Sequence, residues 1–431
     1  MSAAPAERQR INDDDSWSAR LEAYRWLGDP EVDAAIADYR ARHPDPSDLR
    51  PLVRAVIDDL PRAKSDRDWC PQPLRAMEWQ PPDLPPWAHD HELIERGQAV
   101  FNARGLEMGA ALVFAALPMA YAAVHGAEGL GRTSDFATSH LTRRVAETGQ
   151  MLIDVMGTQT PDTLDPGGRG FATTVGLRLL HSCVRGLLSE ERYRWPTDVL
   201  GVPLNQEIML ATLMDFTVVT WAAMERMGVE LSEEDRRAHL YTWSVIGAAM
   251  GLDACQDGPL TLADAVDIST ALHIQLEGTP AGRRLMAALL TELERYMPLG
   301  LHKLPRSLVW WLFAEAPGRT REVPAMLAVP RPASWSRPLF GGVRAAHRLP
   351  SLLQRPVDRV TQRAGRLVFT AFVDGWATEA PPFEIPRELQ QSWHIRSGRV
   401  SKRVRTTRQR TRQQVRATGA RVRHGHGRRS R

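Results

Sequence analysis

The chain has 431 residues, 43% of them hydrophobic, enough to bury a sizeable core as one large domain or two to three smaller ones. Its net charge of +4 is uneven: residues 396–431 hold 14 Lys and Arg and no Asp or Glu, which leaves 41 basic against 51 acidic residues in 1–395. Three well-separated cysteines (Cys70, Cys183, Cys255) exclude a disulfide framework and a cysteine-zinc site, and the polar start MSAAPAERQRINDDDSW has no apolar signal core, so the expectation is a cytoplasmic protein in a reducing compartment.

Residues 1–20 read as largely disordered, with helical spacing from Trp17 to Tyr39 and a two-proline breaker at 42–48. Leu52–Leu60 reads as a short helix closed by Pro61. The proline- and tryptophan-rich stretch 70–87 is incompatible with a regular helix and reads as an extended segment anchored by Trp79 and Trp87. His89, Asp90 and His91 read as a solvated turn ahead of a helix over 91–104. The apolar run Met108–Val124 is of marginal length for a bilayer and reads as a buried helix, so no transmembrane anchor is expected. Gly126–Ser134, with EGLGRT, reads as a glycine-rich turn that lacks either phosphate-loop motif. Phe136–Met156 is a long helix that sets Leu141, Arg144, Thr148 and Leu152 on one face. The loop 157–170 breaks it.

The segment GLRLLHSCVR (176–185) then places His181 among Leu177, Leu180 and Val184, with Arg178 and Arg185 along the edge of that face. Two readings stand at this point. The imidazole is an iron ligand in a haem pocket, with an arginine paired to a propionate, or it is a core histidine bonded to a backbone carbonyl. Further helices are expected over 206–228, from the Ser232 cap through His239, Trp243, Ile246 and Met250, over 261–275 and over 280–296, with the apolar stretch 298–313 closing the ordered body. His239 and His273 have no partner ligand at i+4, which argues against a metal centre built from them. Residues 314–395 are proline-richer, with Pro350–Ala371 their best helix. The tail 396–431 reads as disordered, suited to weak contact with nucleic acid or anionic lipid; HGH at 424–426 is an adventitious metal binder. No strand alternation and no repeat is present, so the fold class is all-α.

Several of these pieces, in this order, resemble the rubber-oxygenase or latex-clearing family, which includes MpaB-type oxygenases. They are the RxxxT pair Arg144/Thr148, RLLHSCVR, a WP…GVPLNQE segment from Trp195 to Glu207, a helix with Phe216, YTWSVIGAAMGLD with Trp243, and PLGLHKLPRSL, together covering about 100–310. The resemblance implies a globin-like helical core with surrounding helices, forming a single domain over 21–395 between the disordered ends. It implies one haem b whose iron is held by His181, with Arg178 and Arg185 as cofactor-binding residues and Arg144 and Thr148 supporting the pocket. In the latex-clearing branch a lysine precedes the threonine and can cap the iron; here that position is Glu147, so the lysine-capped state is not expected. Glu128 falls at the approximate distance of that branch's distal base. The implied activity is oxidation, by dioxygen and with an unidentified electron donor, of a hydrophobic, isoprenoid-like or other alkene-containing small molecule. A non-catalytic haem or oxygen sensor, and a helical structural protein with a polyanion-binding tail, are the competing readings.

Overall fold

The computed structural model describes residues 16–42, 79, 83–133, 138–157, 163–295, 297 and 301–347. The expected helices at 52–60 and 350–371 and the basic tail with its HGH lie outside them. The described residues confirm an all-α fold, with an isolated bridge between Ala123 and Leu276. The helices are α1 (Trp17–Tyr24), α2 (Pro30–Arg42), α3 (His91–Ala103), α4 (Gly105–Ala111), α5 (Leu117–Ala122), α6 (Val124–Thr133), α7 (Thr138–Val155), α8 (Arg169–Leu188), α9 (Gln206–Met214), α10 (Thr220–Arg226), α11 (Glu233–Ala249), α12 (Leu262–Ile274), α13 (Pro280–Arg295), α14 (Leu304–Phe313) and α15 (Ser336–His347).

The centre of the molecule is α11, buried along most of its length and packed against α3 and α8. Gly97 makes the approach of α3 possible: a Cβ there would stand 2.2 Å from the Thr242 hydroxyl and 2.4 Å from the Ala238 carbonyl. Trp79 and Trp87 do act as anchors. The Trp79 indole donates to Glu31 at 2.8 Å, and that of Trp87 to the Gln256 carbonyl at 3.2 Å.

The helical spacing from Trp17 is borne out, with the Ser16 side chain capping α1. Three expectations are corrected. The glycine-rich turn at 126–134 is helix α6 through Thr133; it packs on α13, and tertiary burial outweighs the glycine penalty of roughly 1 kcal/mol per residue. The short His181 helix spans 20 residues, Arg169–Leu188. Finally, two apolar runs expected as plain helices are each interrupted by a π turn, Leu112–Ala116 and Asp215–Val219. Pro118 explains the first, since its ring excludes the carbonyl four residues back and it donates no hydrogen bond. In the second, Thr217 donates to Leu213 O and Thr220 to Asp215 O, both at 2.8 Å, so hydroxyls take up carbonyls along the irregular turn.

These two interrupted helices, Gly105–Ala122 and Gln206–Arg226, are long and apolar enough to cross a bilayer by length and composition, and 56% of each is buried inside the fold. Their π turns pack against each other.

Candidate functional site

Helices α7 and α8 form a hairpin whose joint is a polar knot. Thr163 donates to the Asp154 carbonyl at 2.6 Å and accepts from Gly170 N–H at 2.7 Å. The Asp154 carboxylate holds Arg169 at 2.6 Å and Thr173 at 3.0 Å. This joint fixes the pairing of the two helices, and between them and the two π-turn helices lies a cavity of about 980 Å³. Its walls are mostly aliphatic and aromatic, and its size is at the top of the roughly 300–1,000 Å³ range of small-molecule sites.

His181 sits on that wall with Leu177, Leu180 and Val184, the face that the helical spacing defines. Its Nδ1 is enclosed and has no hydrogen-bond partner. Burial, helped by the charges of Arg185 and Arg144, pushes the imidazole down to about 4, so it is neutral at pH 7 with a free lone pair. Arg144, Glu147 and Thr148 line the cavity from α7. Burial also raises the Tyr121 hydroxyl against the opposing charge of Arg144, so this wall group is neutral as well.

Arg178 and Arg185 do not line the cavity. They point off the other side of α8 into the acidic start of α2. Arg178 donates to Asp29 at 2.6 and 3.0 Å and to Glu31 at 3.2 Å; Arg185 donates to Asp33 at 2.8 Å and to the Leu204 carbonyl. Ser182 adds a hydrogen bond to Asp33. The expected pairing of either arginine with a propionate is therefore corrected: both guanidinium groups are committed to carboxylates. Glu128 is corrected too. Helix α6 turns His125, Gly126, Gly129 and Leu130 to the cavity, while Glu128 pairs with Arg132 at 3.4 Å, one turn on, away from it. His239 is buried apart from the cavity, accepting from the Trp221 indole at 3.2 Å. His273 does reach the cavity wall, neutral because burial pushes it down to about 4.

Sequence reasoning missed a second polar group on the wall. The Glu207 carboxylate takes two hydrogen bonds from Arg25, each 2.9 Å, and His125 Nδ1 lies 3.1 Å from it. Burial opposes the Glu207 charge, yet His125 and Arg25 hold its carboxyl below the usual carboxylate range. The segment GVPLNQE builds this cluster residue by residue. Gly201, at φ 69°, lies so close to the Arg25 carbonyl that a Cβ would stand 2.1 Å from it. Asn205 caps α9 by accepting from Ile208 N–H at 2.9 Å. Gln206 ties Gly28, Gly251 and Asp253 together through bonds of 2.9, 3.0 and 2.9 Å. Glu207 falls in the first turn of α9, where the helix dipole favours its charge. The PLNQE run was the signal available in the sequence; Arg25, 182 residues earlier, left none. Asp215 is a second omission: it lines the cavity from the π turn, and burial raises its carboxyl well above the carboxylate range.

Among the described residues, no three His, Cys, Asp or Glu side chains gather as a metal-ligand set. A comparison with curated proteins finds no match. Among solved structures the chain is similar to one described as "Structure of Latex Clearing Protein LCP in the closed state", with a TM-score of 0.57 and 19% identity, over 88% of this chain and 94% of that one. At that identity the likeness establishes the fold. The family described as "ER-bound oxygenase mpaB/B'/Rubber oxygenase, catalytic domain" matches residues 102–393, well beyond the end near 310 that the ordered motifs marked. With that match over more than half its length, the chain belongs to this oxygenase catalytic-domain family.

Proposed function

We propose that this protein is a haem-dependent oxygenase whose cavity takes one b-type haem on His181 and an apolar, polyisoprene-like or other alkene-bearing substrate. The observation that carries the reading is His181 itself: a neutral imidazole on the wall of a large apolar cavity, with Nδ1 enclosed and without a partner. A single histidine suits haem, which needs only one protein ligand, where a bare metal ion needs several. The volume and the aliphatic walls fit a macrocycle with an apolar chain beside it. A haem held by one histidine supplies binding and activation of dioxygen.

The chain's own residues have separate tasks. Burial first, then the charges of Arg185 and Arg144, lowers the affinity of His181 for a proton and leaves the imidazole in the form that would ligate iron. Thr148 offers a hydroxyl on the same wall. Glu147 lines the cavity where the latex-clearing branch has its lysine, so the lysine-capped state of that branch would not form here. The aliphatic walls exclude water and set the preference for hydrocarbon bulk. Glu207, kept charged by Arg25, lies with His125 on the cavity wall, and this carboxylate–imidazole pair takes the proton-handling place that the resemblance gave to Glu128.

The test is spectroscopic. Protein supplemented with haem is expected to show a Soret band that shifts on reduction under carbon monoxide, and His181→Ala is expected to lose it. No Soret band in the parent, or full haem content in His181→Ala, overturns the reading.

A further inference from the structure

The walls of the cavity hold a carboxyl group that the proposed chemistry does not use. Asp215 opens the π turn Asp215–Val219, next to Phe216, which stacks on Trp243 with centroids 4.3 Å apart and planes 10° off parallel. All three line the cavity. The Asp215 carboxyl has no hydrogen-bond or ion-pair partner among the described residues; its backbone carbonyl is taken up by Thr220, but the side chain is not. A π turn inserts one residue into a helical turn and so redirects the side chains around it, and such turns concentrate at functional sites. Here the redirected side chain is a carboxyl in an aliphatic and aromatic wall.

An apolar side chain at 215 would serve a purely hydrocarbon ligand better, because an unpartnered carboxyl facing a hydrocarbon is penalised. A hydrogen-bond acceptor on the ligand removes that penalty. Burial raises the carboxyl well above the carboxylate range and so favours its protonated form, a donor through its O–H.

We propose that Asp215 is the substrate-positioning residue of this cavity and that the ligand it selects is an apolar, isoprenoid-like chain carrying an oxygen function, a hydroxyl, ether or carbonyl, which accepts a hydrogen bond from the Asp215 carboxyl. The proposal rests on the reading that this cavity receives the substrate, and it narrows that substrate from hydrocarbon to oxygenated. It requires no covalent step at Asp215.

The experiment compares farnesol with farnesene, a hydroxylated and a hydrocarbon chain of equal length, titrated into the haem-supplemented full chain. Binding is read by tryptophan fluorescence and by the Soret band. The quantity of interest is the ratio of the two dissociation constants, which cancels the general greasiness of each probe. Asp215→Leu is expected to move that ratio against farnesol by about tenfold, the worth of one buried hydrogen bond. Asp215→Asn keeps a donor and is expected to hold the parent ratio to within roughly threefold. Asp215→Leu is also expected to melt no lower than the parent, since it buries no polar group. An unchanged ratio in Asp215→Leu overturns the proposal. So does equal weakening of both probes together with a lowered melting temperature, which is the signature of a structural role. The fluorescence arm works with or without haem. A preserved tenfold change in protein that binds no haem leaves the proposal standing and removes the oxygenase reading; a Soret band with an unmoved ratio does the reverse.

Discussion

On one side of α8, Arg178, Ser182 and Arg185 each meet a carboxylate at the start of α2. On the other, one residue round, Leu177, His181 and Val184 meet the cavity. Both sides bury polar nitrogen. On the ion-pair side most of it is matched, by bidentate geometry, by Glu31 and by the Leu204 carbonyl. On the cavity side His181 Nδ1 is enclosed without a partner. The difference teaches which half of the motif RLLHSCVR is structural. Its arginines clamp α8 to α2 and so hold the helix in place, and its histidine faces the cavity. The energetic consequences are opposite. Removing one partner of a buried pair strands the other, whereas trimming a group that has no partner strands nothing.

The largest effect therefore belongs to Asp29. Its carboxylate is the bidentate acceptor for Arg178, both side chains are under a tenth exposed, and it also accepts from Val32 N–H ahead of Pro30. Asp29→Ala is expected to lower unfolding free energy by about 3–5 kcal/mol, as when one partner of a buried ion pair is lost. Urea unfolding followed by circular dichroism measures it. His181→Ala, by the same measurement without haem, is expected to stay within about 1 kcal/mol of the parent. If Asp29→Ala proves as stable as the parent, the two sides of α8 do not differ as described.

A second contrast separates two buried histidines. His181 faces the cavity, whereas His239 is packed inside the core with Trp221 donating to its Nδ1. Burial pushes His239 down from an ordinary 6.5 to about 3. Between those values the unfolded chain binds a proton at this site that the folded chain does not, so its contribution is complete above pH 6.5 and is lost as pH falls towards 3. By pH 5 that loss amounts to about 2 kcal/mol. His239→Gln keeps an acceptor for Trp221 and titrates nothing. Its urea midpoint is expected to fall less steeply than the parent's between pH 7 and 5; parallel slopes would place the acid sensitivity elsewhere.

The sequence shows helices well where period and cap agree. Ser232 does cap α11, accepting from Asp235 N–H at 3.1 Å, and the face carrying His181 lines the cavity. It shows them poorly where packing decides, as in α6, whose glycines read as a turn. Spacing along a helix also says which residues share a face and nothing about what lies opposite. The partners of Arg178 and Arg185 stand roughly 150 residues earlier in the chain, so their carboxylates could not be anticipated from RLLHSCVR. The same separation hid Arg25 from Glu207. The π turn that carries Asp215 has no local signature beyond two threonines whose hydroxyls turn back to the helix.

The smallest effect expected is also the one that divides the two glutamates considered for proton transfer. Glu128 is partly exposed and pairs with Arg132 one turn on, and Arg132 has other support: it donates to the Tyr193 carbonyl at 2.8 Å and lies 6.0 Å over the Trp195 ring. Losing such a pair costs under about 0.5 kcal/mol. Glu128→Gln is therefore expected to leave unfolding, haem content and turnover of an alkene substrate close to those of the parent. Glu207→Gln removes a charge that Arg25 and His125 both hold at the cavity wall, and is expected to lower turnover at least tenfold. Steady-state rates of the two variants, measured on haem-loaded protein at equal haem content, decide between them. A tenfold loss in Glu128→Gln with an intact Glu207→Gln would mean that α6 presents its other side to the substrate during turnover, and the proton-handling place on the wall would pass to Glu128.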